Sequence, residues 1–279
     1  MILGVDHIAL ASRDLSADGA ALAGLGFTER FRDAGVPNAA VKRSLQAQHR
    51  DIHDLAIHDH PGSVALELTV HAPQLVASGH LGFVPVIAGV AAPPLARTAA
   101  PLASEVPAPP GVAEALYEAL GITATWQPVP ELGAAVWSTK AQASTTVPAC
   151  ACCVADLAAS TRFFRDTLKA RALAAGTSGG RAWQALELFG PVMRWRLRVL
   201  LVAAIAQAER EPLLLDSAGF PCIALLTSDI AKDGNAIESA LGRPIDGRFG
   251  VGVNGKSLEI ALARGPSAEF VELIQVRRG

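Results

Sequence analysis

Short apolar runs that end in a polar step and an aspartate recur along the chain. The clearest are DHIALASRDL at 6–15 and PCIALLTSDI at 221–230, and PACACCVADL at 148–157 fits the same frame. A weaker copy, VPVIAGVA at 84–91, reaches its helix GVAEALYEALG (111–121) only after a Pro- and Ala-rich insertion. In each copy the run reads as a strand and the following stretch as a helix. Asp14, Asp156 and Asp229 fall where an N-cap carboxylate would satisfy the open amides of the first turn. The spacing predicts a first helix over Ser16–Leu25, stopped by Gly26, and a third over Leu157–Leu168. Behind the helices come strand-like runs at 54–70, 122–139, 181–202 and 248–276. Turn residues break them at Pro61-Gly62, Gly190-Pro191, Asn254-Gly255 and Gly265-Pro266. The repeating unit is strand, helix, three strands, occurring four times with a period of roughly 70 residues.

Length and composition narrow the picture. A chain of 279 residues suits two domains of ordinary size. The polar stretch KAQASTT (140–146) is the expected boundary, giving domains 1–140 (units 1–70 and 80–140) and 146–279 (units 146–205 and 219–277). Segment 89–111 is expected to be an extended surface loop of the second unit. The chain is 51% hydrophobic, 18% charged and carries a net charge of −2. That balance argues for a large interior and against nucleic-acid or membrane partners. The N-terminus has no secretion signature, and the longest apolar run, VLLVAAIA (199–206), is too short to cross a bilayer. Four cysteines, three of them in CACC (150–153), make no disulfide framework, so a cytoplasmic location with buried thiols is expected.

The βαβββ repeat, opening on DHIAL and closing on LEL or VEL, resembles the vicinal oxygen chelate superfamily. That superfamily includes glyoxalase I, extradiol dioxygenases, fosfomycin-resistance enzymes and bleomycin-binding proteins. The resemblance implies an α+β fold of four βαβββ units forming two glyoxalase-like domains with cupped mixed sheets. It also implies a divalent metal in a cup, held from the first and last strand of each unit. In unit one those positions are His7 and Glu67, and in unit four Cys222 and Glu272. In unit two they fall near Pro85 and Trp137, and in unit three near Ala149 and Arg198. Pairing of unit one with unit four, the preferred arrangement, collects His7, Glu67 and Glu272 in one cup and leaves the other without ligands. Pairing within each half of the chain is the alternative.

Strand alternation sorts the same residues independently. If His7 faces the cup, Ala9 and Ala11 do too, while Ile8 and Leu10 face helices. Glu67 then lies inward with Ala65 and Thr69, and Glu272 projects from between Val271 and Leu273. An inward carboxylate is costly unless paired or bound to a metal. One imidazole with two carboxylates suits Mn²⁺, Fe²⁺, Ni²⁺, Co²⁺ or Zn²⁺.

Further candidates are less specific. Five histidines crowd 49–71: His49, His53, His58, His60 and His71. His58 and His60 share a strand face, and His58 is the candidate general base beside Glu272. Arg194, Arg196 and Arg198 alternate on one face and would bind an anionic group, for which Arg198 is the candidate. Trp137 is a candidate for stacking on a planar ligand, and Cys222 for lining the site. Two functions follow. The first is a metal-dependent isomerase, lyase or oxygenase that stabilises an enediolate or similar oxyanion of a small oxygenated substrate. A typical extradiol dioxygenase is disfavoured by Ala149. The second is a metal-free protein that sequesters a small molecule, as bleomycin-resistance relatives do. Either would work as a monomer or homodimer.

Overall fold

The computed structural model describes residues 1–60, 63–72, 74–78, 80–88, 107–129, 132, 134–139, 146–192, 195–210 and 212–277. The turn at Pro61-Gly62, most of the Pro- and Ala-rich segment, the boundary stretch 140–145 and Arg194 lie outside them.

Unit one runs β1 (Ile2–Ala11), α1 (Leu15–Gly24), β2 (Thr28–Pro37), β3 (Ile52–Asp59) and β4 (Ala65–Val70). Unit two runs β5 (Val84–Ala88), α2 (Val112–Leu120), β6 (Ala124–Val129) and β7 (Ala134–Thr139). Unit three runs β8 (Thr146–Val154), α3 (Leu157–Arg162), β9 (Arg171–Ser178), β10 (Arg181–Leu188) and β11 (Leu197–Ala203). Unit four runs β12 (Cys222–Thr227), α4 (Ile230–Leu241), β13 (Gly247–Val253), β14 (Lys256–Arg264) and β15 (Phe270–Val276).

The aspartate at each repeat start does what its chemistry dictates. Asp14 accepts from the amides of Ser16 and Ala17, Asp156 from that of Ala159, and Asp229 from that of Lys232. The repeat extends to matched side-chain pairs, Ser12 with Asp18 and Thr227 with Asp233. Two details differ from the sequence expectation. The third helix leaves α geometry after Arg162 and finishes as a π-helical turn over Phe163–Thr167. Unit two has two strands behind its helix, not three, among the described residues. Only 18 positions separate Gly121 from residue 140, and one hairpin uses them.

The strands form two mixed sheets, ordered β13-β14-β15-β12-β1-β4-β3-β2 and β6-β7-β5-β8-β11-β10-β9. Unit one therefore shares a sheet with unit four, and unit two with unit three. Each sheet draws one unit from either half of the chain. The joins are antiparallel first strands, β1 with β12 and β5 with β8. Ile8, Leu10, Leu66, Leu68, Ile223 and Leu273 are buried in one apolar core that continues into the second sheet. This places the polar, even-spaced partners of those residues on the opposite, concave face. No helix among the described residues is long and apolar enough to cross a membrane.

Candidate functional site

The concave face of the eight-stranded sheet encloses a cavity of about 320 Å³. Its polar lining includes Asp6, His7, Glu67, Cys222, Glu272 and Lys42. Register explains the convergence. Ala9 pairs with Glu67 on one side and Cys222 on the other, while Ala224 pairs with His7 and Glu272. A local two-fold relation thus sets His7 and Glu67 against Cys222 and Glu272. The small Ala9 and Ala224 between them leave room for a ligand. A register shift between Val5 and His7 turns Asp6 toward the cavity beside its neighbour.

The charges interact strongly. His7 is 3% exposed, with Nδ1 2.9 Å from Asp6 Oδ2 and Nε2 3.5 Å from Glu67 Oε2. Burial works against a charged ring, but Glu67, Asp6 and Glu272 together raise the His7 imidazole to about 9. The Thr69 hydroxyl donates to Glu67 Oε1 at 2.7 Å, leaving Oε2 for His7. Burial and then the neighbouring Glu67 push Glu272 up to about 7, against the opposing charges of Lys42 and His7. Burial, Glu272 and Glu67 hold the Cys222 thiol well above its ordinary range.

These donor types fit a divalent cation. A buried imidazole whose far nitrogen is already fixed by a carboxylate is a good ligand. Two inward carboxylates that repel one another are relieved by a cation between them. Among the described residues, however, no three His, Cys, Asp or Glu side chains stand close enough together to hold an ion as placed. The donor chemistry fits, and the set is open.

No family model and no curated protein matches the chain. Solved structures do. A mutant of glyoxalase I from Zea mays is 15% identical with a TM-score of 0.60, covering 98% of this chain and 92% of that one. Unmutated glyoxalase I from Zea mays is 13% identical, with a TM-score of 0.58 over 98% and 92% of the two chains. A candidate dioxygenase from Bacillus subtilis is 10% identical, with a TM-score of 0.53 over 100% and 86%. The chain has the fold of these glyoxalase I structures.

Within this fold the second sheet carries the equivalent four positions, and register identifies them. Val84 pairs with Ala151, and Val86 pairs with both Ala149 and Trp137. Ala151 pairs in turn with Leu200. The counterparts of His7, Glu67, Cys222 and Glu272 are therefore Val84, Trp137, Ala149 and Leu200. This corrects two expectations. Val84 replaces Pro85, and Leu200 replaces Arg198, which pairs with Ala149 two residues short of the equivalent position. All four are buried and apolar, so the second sheet offers no ligand at these places.

Three candidates from the sequence lie away from the first cavity. Trp137 and Arg198 belong to the seven-stranded sheet, where Trp137 is buried 4.9 Å from Trp126. His58 is in the right sheet but on the wrong face. Glu67 pairs with Ile57, and His58 pairs with the core residue Leu66. Its ring packs under α1, so that a Cβ on Gly19 would lie 3.1 Å from His58 Nε2. Period-two alternation instead brings His53 and His71 to the cavity, with ring centroids 5.2 Å apart. Parity with Glu67 along one hairpin is the signal that would have found them. Lys42, from a 3-10 helix over Ala40–Leu45, had no sequence signal at all.

Proposed function

We propose that the cavity of the eight-stranded sheet is the working site of a metal-assisted enzyme. Its chemistry would be of the isomerase or lyase type on a small oxygenated molecule. One observation carries this reading: His7, Glu67 and Glu272 line one cavity, while the equivalent positions of the other sheet are apolar. His7 Nε2 and the carboxylates of Glu67 and Glu272 would hold the cation, with the Cys222 side chain at the fourth position. When bound, a divalent cation supplies Lewis-acid stabilisation of an oxyanion developing on the substrate.

The chain's own residues have separable tasks. Asp6 fixes the His7 ring through Nδ1, and Thr69 fixes one oxygen of Glu67. Glu272, half-buried at the cavity wall, would accept and return a proton at its carboxylate. Phe249, Ile260 and Ile274 give the cavity apolar walls that exclude water. The test is metal analysis of the purified protein by mass spectrometry, with His7→Ala as control. Near-stoichiometric metal that disappears in the variant supports the reading. No metal in either, after incubation with Mn²⁺, Fe²⁺, Ni²⁺ and Zn²⁺, overturns it.

The open donor set and the Lys42 cation near Glu272 favour a second reading, a metal-free protein that binds a small molecule in the same cavity. Glu67→Ala separates the two. It abolishes activity and metal retention under the first and leaves ligand affinity largely intact under the second.

A further inference from the structure

The cavity contains a cation to which neither reading gives a task. Lys42 is 8% exposed, and its ammonium lies 5.0 Å from the centroid of the Phe249 ring. Both residues line the cavity. No hydrogen bond or ion pair reaches the Lys42 ammonium from the described residues. Among the described residues its contact is the face of the Phe249 ring, which leaves the charge open to an anion entering the cavity. The cavity's other cations, Arg30 and Lys256, act on Asp6 instead, and Arg30 already pairs with Asp59 at 3.3 Å.

Two under-satisfied imidazoles stand near Lys42. His53 and His71 line the cavity beside it, and the Nδ1 atoms of both are buried without a hydrogen-bond partner. Burial first, and the Lys42 charge second, hold His53 at about 3 and His71 well below its ordinary value. Both rings are therefore neutral and leave Lys42 as the local charge. Glu272 senses Lys42 but is not within ion-pair distance of it. The Lys42 ammonium and the N–H of a neutral imidazole are donors, and together they suit an acceptor with several oxygens and a negative charge.

We infer that Lys42, flanked by His53 and His71, receives an anionic oxygen group of the small molecule that enters this cavity. A carboxylate and a phosphoryl group share the required chemistry. The inference rests on the cavity being the binding site and does not depend on a bound metal.

The test uses the full chain stripped of metal with EDTA, and titration calorimetry with lactate and with lactamide. The two probes differ in charge at one group. Lactate is expected to bind the wild-type protein roughly tenfold tighter than lactamide. Lys42→Arg should keep that preference and Lys42→Met should erase it, with circular dichroism confirming that both variants fold. Equal binding of the two probes to wild type overturns the inference, as does no saturable binding of lactate. So does an undiminished preference in Lys42→Met. Inorganic phosphate, run in parallel, should compete with lactate in wild type and not in Lys42→Met. Because no metal is present, any of these failures leaves the metal-binding reading to its own mass-spectrometric test.

Discussion

His7 Nε2 and Glu67 Oε2 stand 3.5 Å apart across two parallel strands whose register offsets them by two residues. The Thr69 hydroxyl and the Asp6 carboxylate hold the outer ends of this pair. The elevated His7 value therefore has an identifiable source, the Glu67 charge foremost among the groups that raise it. In metal-free protein, Glu67→Gln is expected to lower the His7 titration midpoint from about 9 by roughly one unit or more. NMR titration of the His7 ring checks this, and an unmoved midpoint would remove Glu67 as its partner.

The three N-cap aspartates offer a test of the repeat itself. Each accepts from backbone amides of the helix it opens. Replacing Asp14, Asp156 or Asp229 by Ala should in each case lower the urea unfolding midpoint. Asn at the same places should lower it by a fraction of that. A variant that loses nothing would show that its helix is held by packing alone.

The repeat was legible because its signals are local. An apolar run, an aspartate at a fixed offset and a stretch of helical spacing need no tertiary information, and it was the family resemblance they carry that pointed to His7, Glu67 and Glu272. Cross-strand facts were not legible. Whether His58 or Ile57 lies beside Glu67 depends on which residues pair across the β3–β4 turn, and a one-residue slip exchanges the two faces. The same slip separates Val84 from Pro85, and a two-residue one separates Leu200 from Arg198. Lys42 reaches the cavity from a 3-10 helix outside the repeat frame, so no periodicity marks it.

The second sheet buries an ion pair with its own consequence. Arg181 Nη2 lies 2.6 Å from Glu209 Oε1, with the arginine side chain 0% exposed and the glutamate 10%. Glu209 Oε2 meanwhile accepts from the amides of Ile205 and Ala206. Arg181→Met strands the carboxylate and should destabilise the protein by about 3 kcal/mol or more. Adding Glu209→Gln should recover much of that loss, because the amide oxygen still caps the two backbone amides. Denaturant midpoints of the single and double variants measure the coupling. Additive losses would contradict it.

Glu269 gives the pH dependence a defined sign. Its side chain is buried next to the 265–268 turn, and Oε2 accepts from the Ser267 amide at 2.7 Å. Burial, outweighing those hydrogen bonds, raises it to about 7 from an ordinary value of 4.5. Between these two values the unfolded chain has released the proton and the folded protein retains it. Unfolding therefore releases a proton, and stability falls as pH rises through the window, with a slope approaching about 1.4 kcal/mol per pH unit. Below the window both states are protonated, and above it both are ionised, so the slope vanishes at either end. Glu272 titrates over the same range, so the informative quantity is the difference between wild type and Glu269→Gln. That variant keeps an acceptor for Ser267 and has no proton to lose. Its advantage over wild type should grow from pH 5 to pH 7.5 in urea unfolding, and a constant difference across that range would show that Glu269 is ionised in the fold.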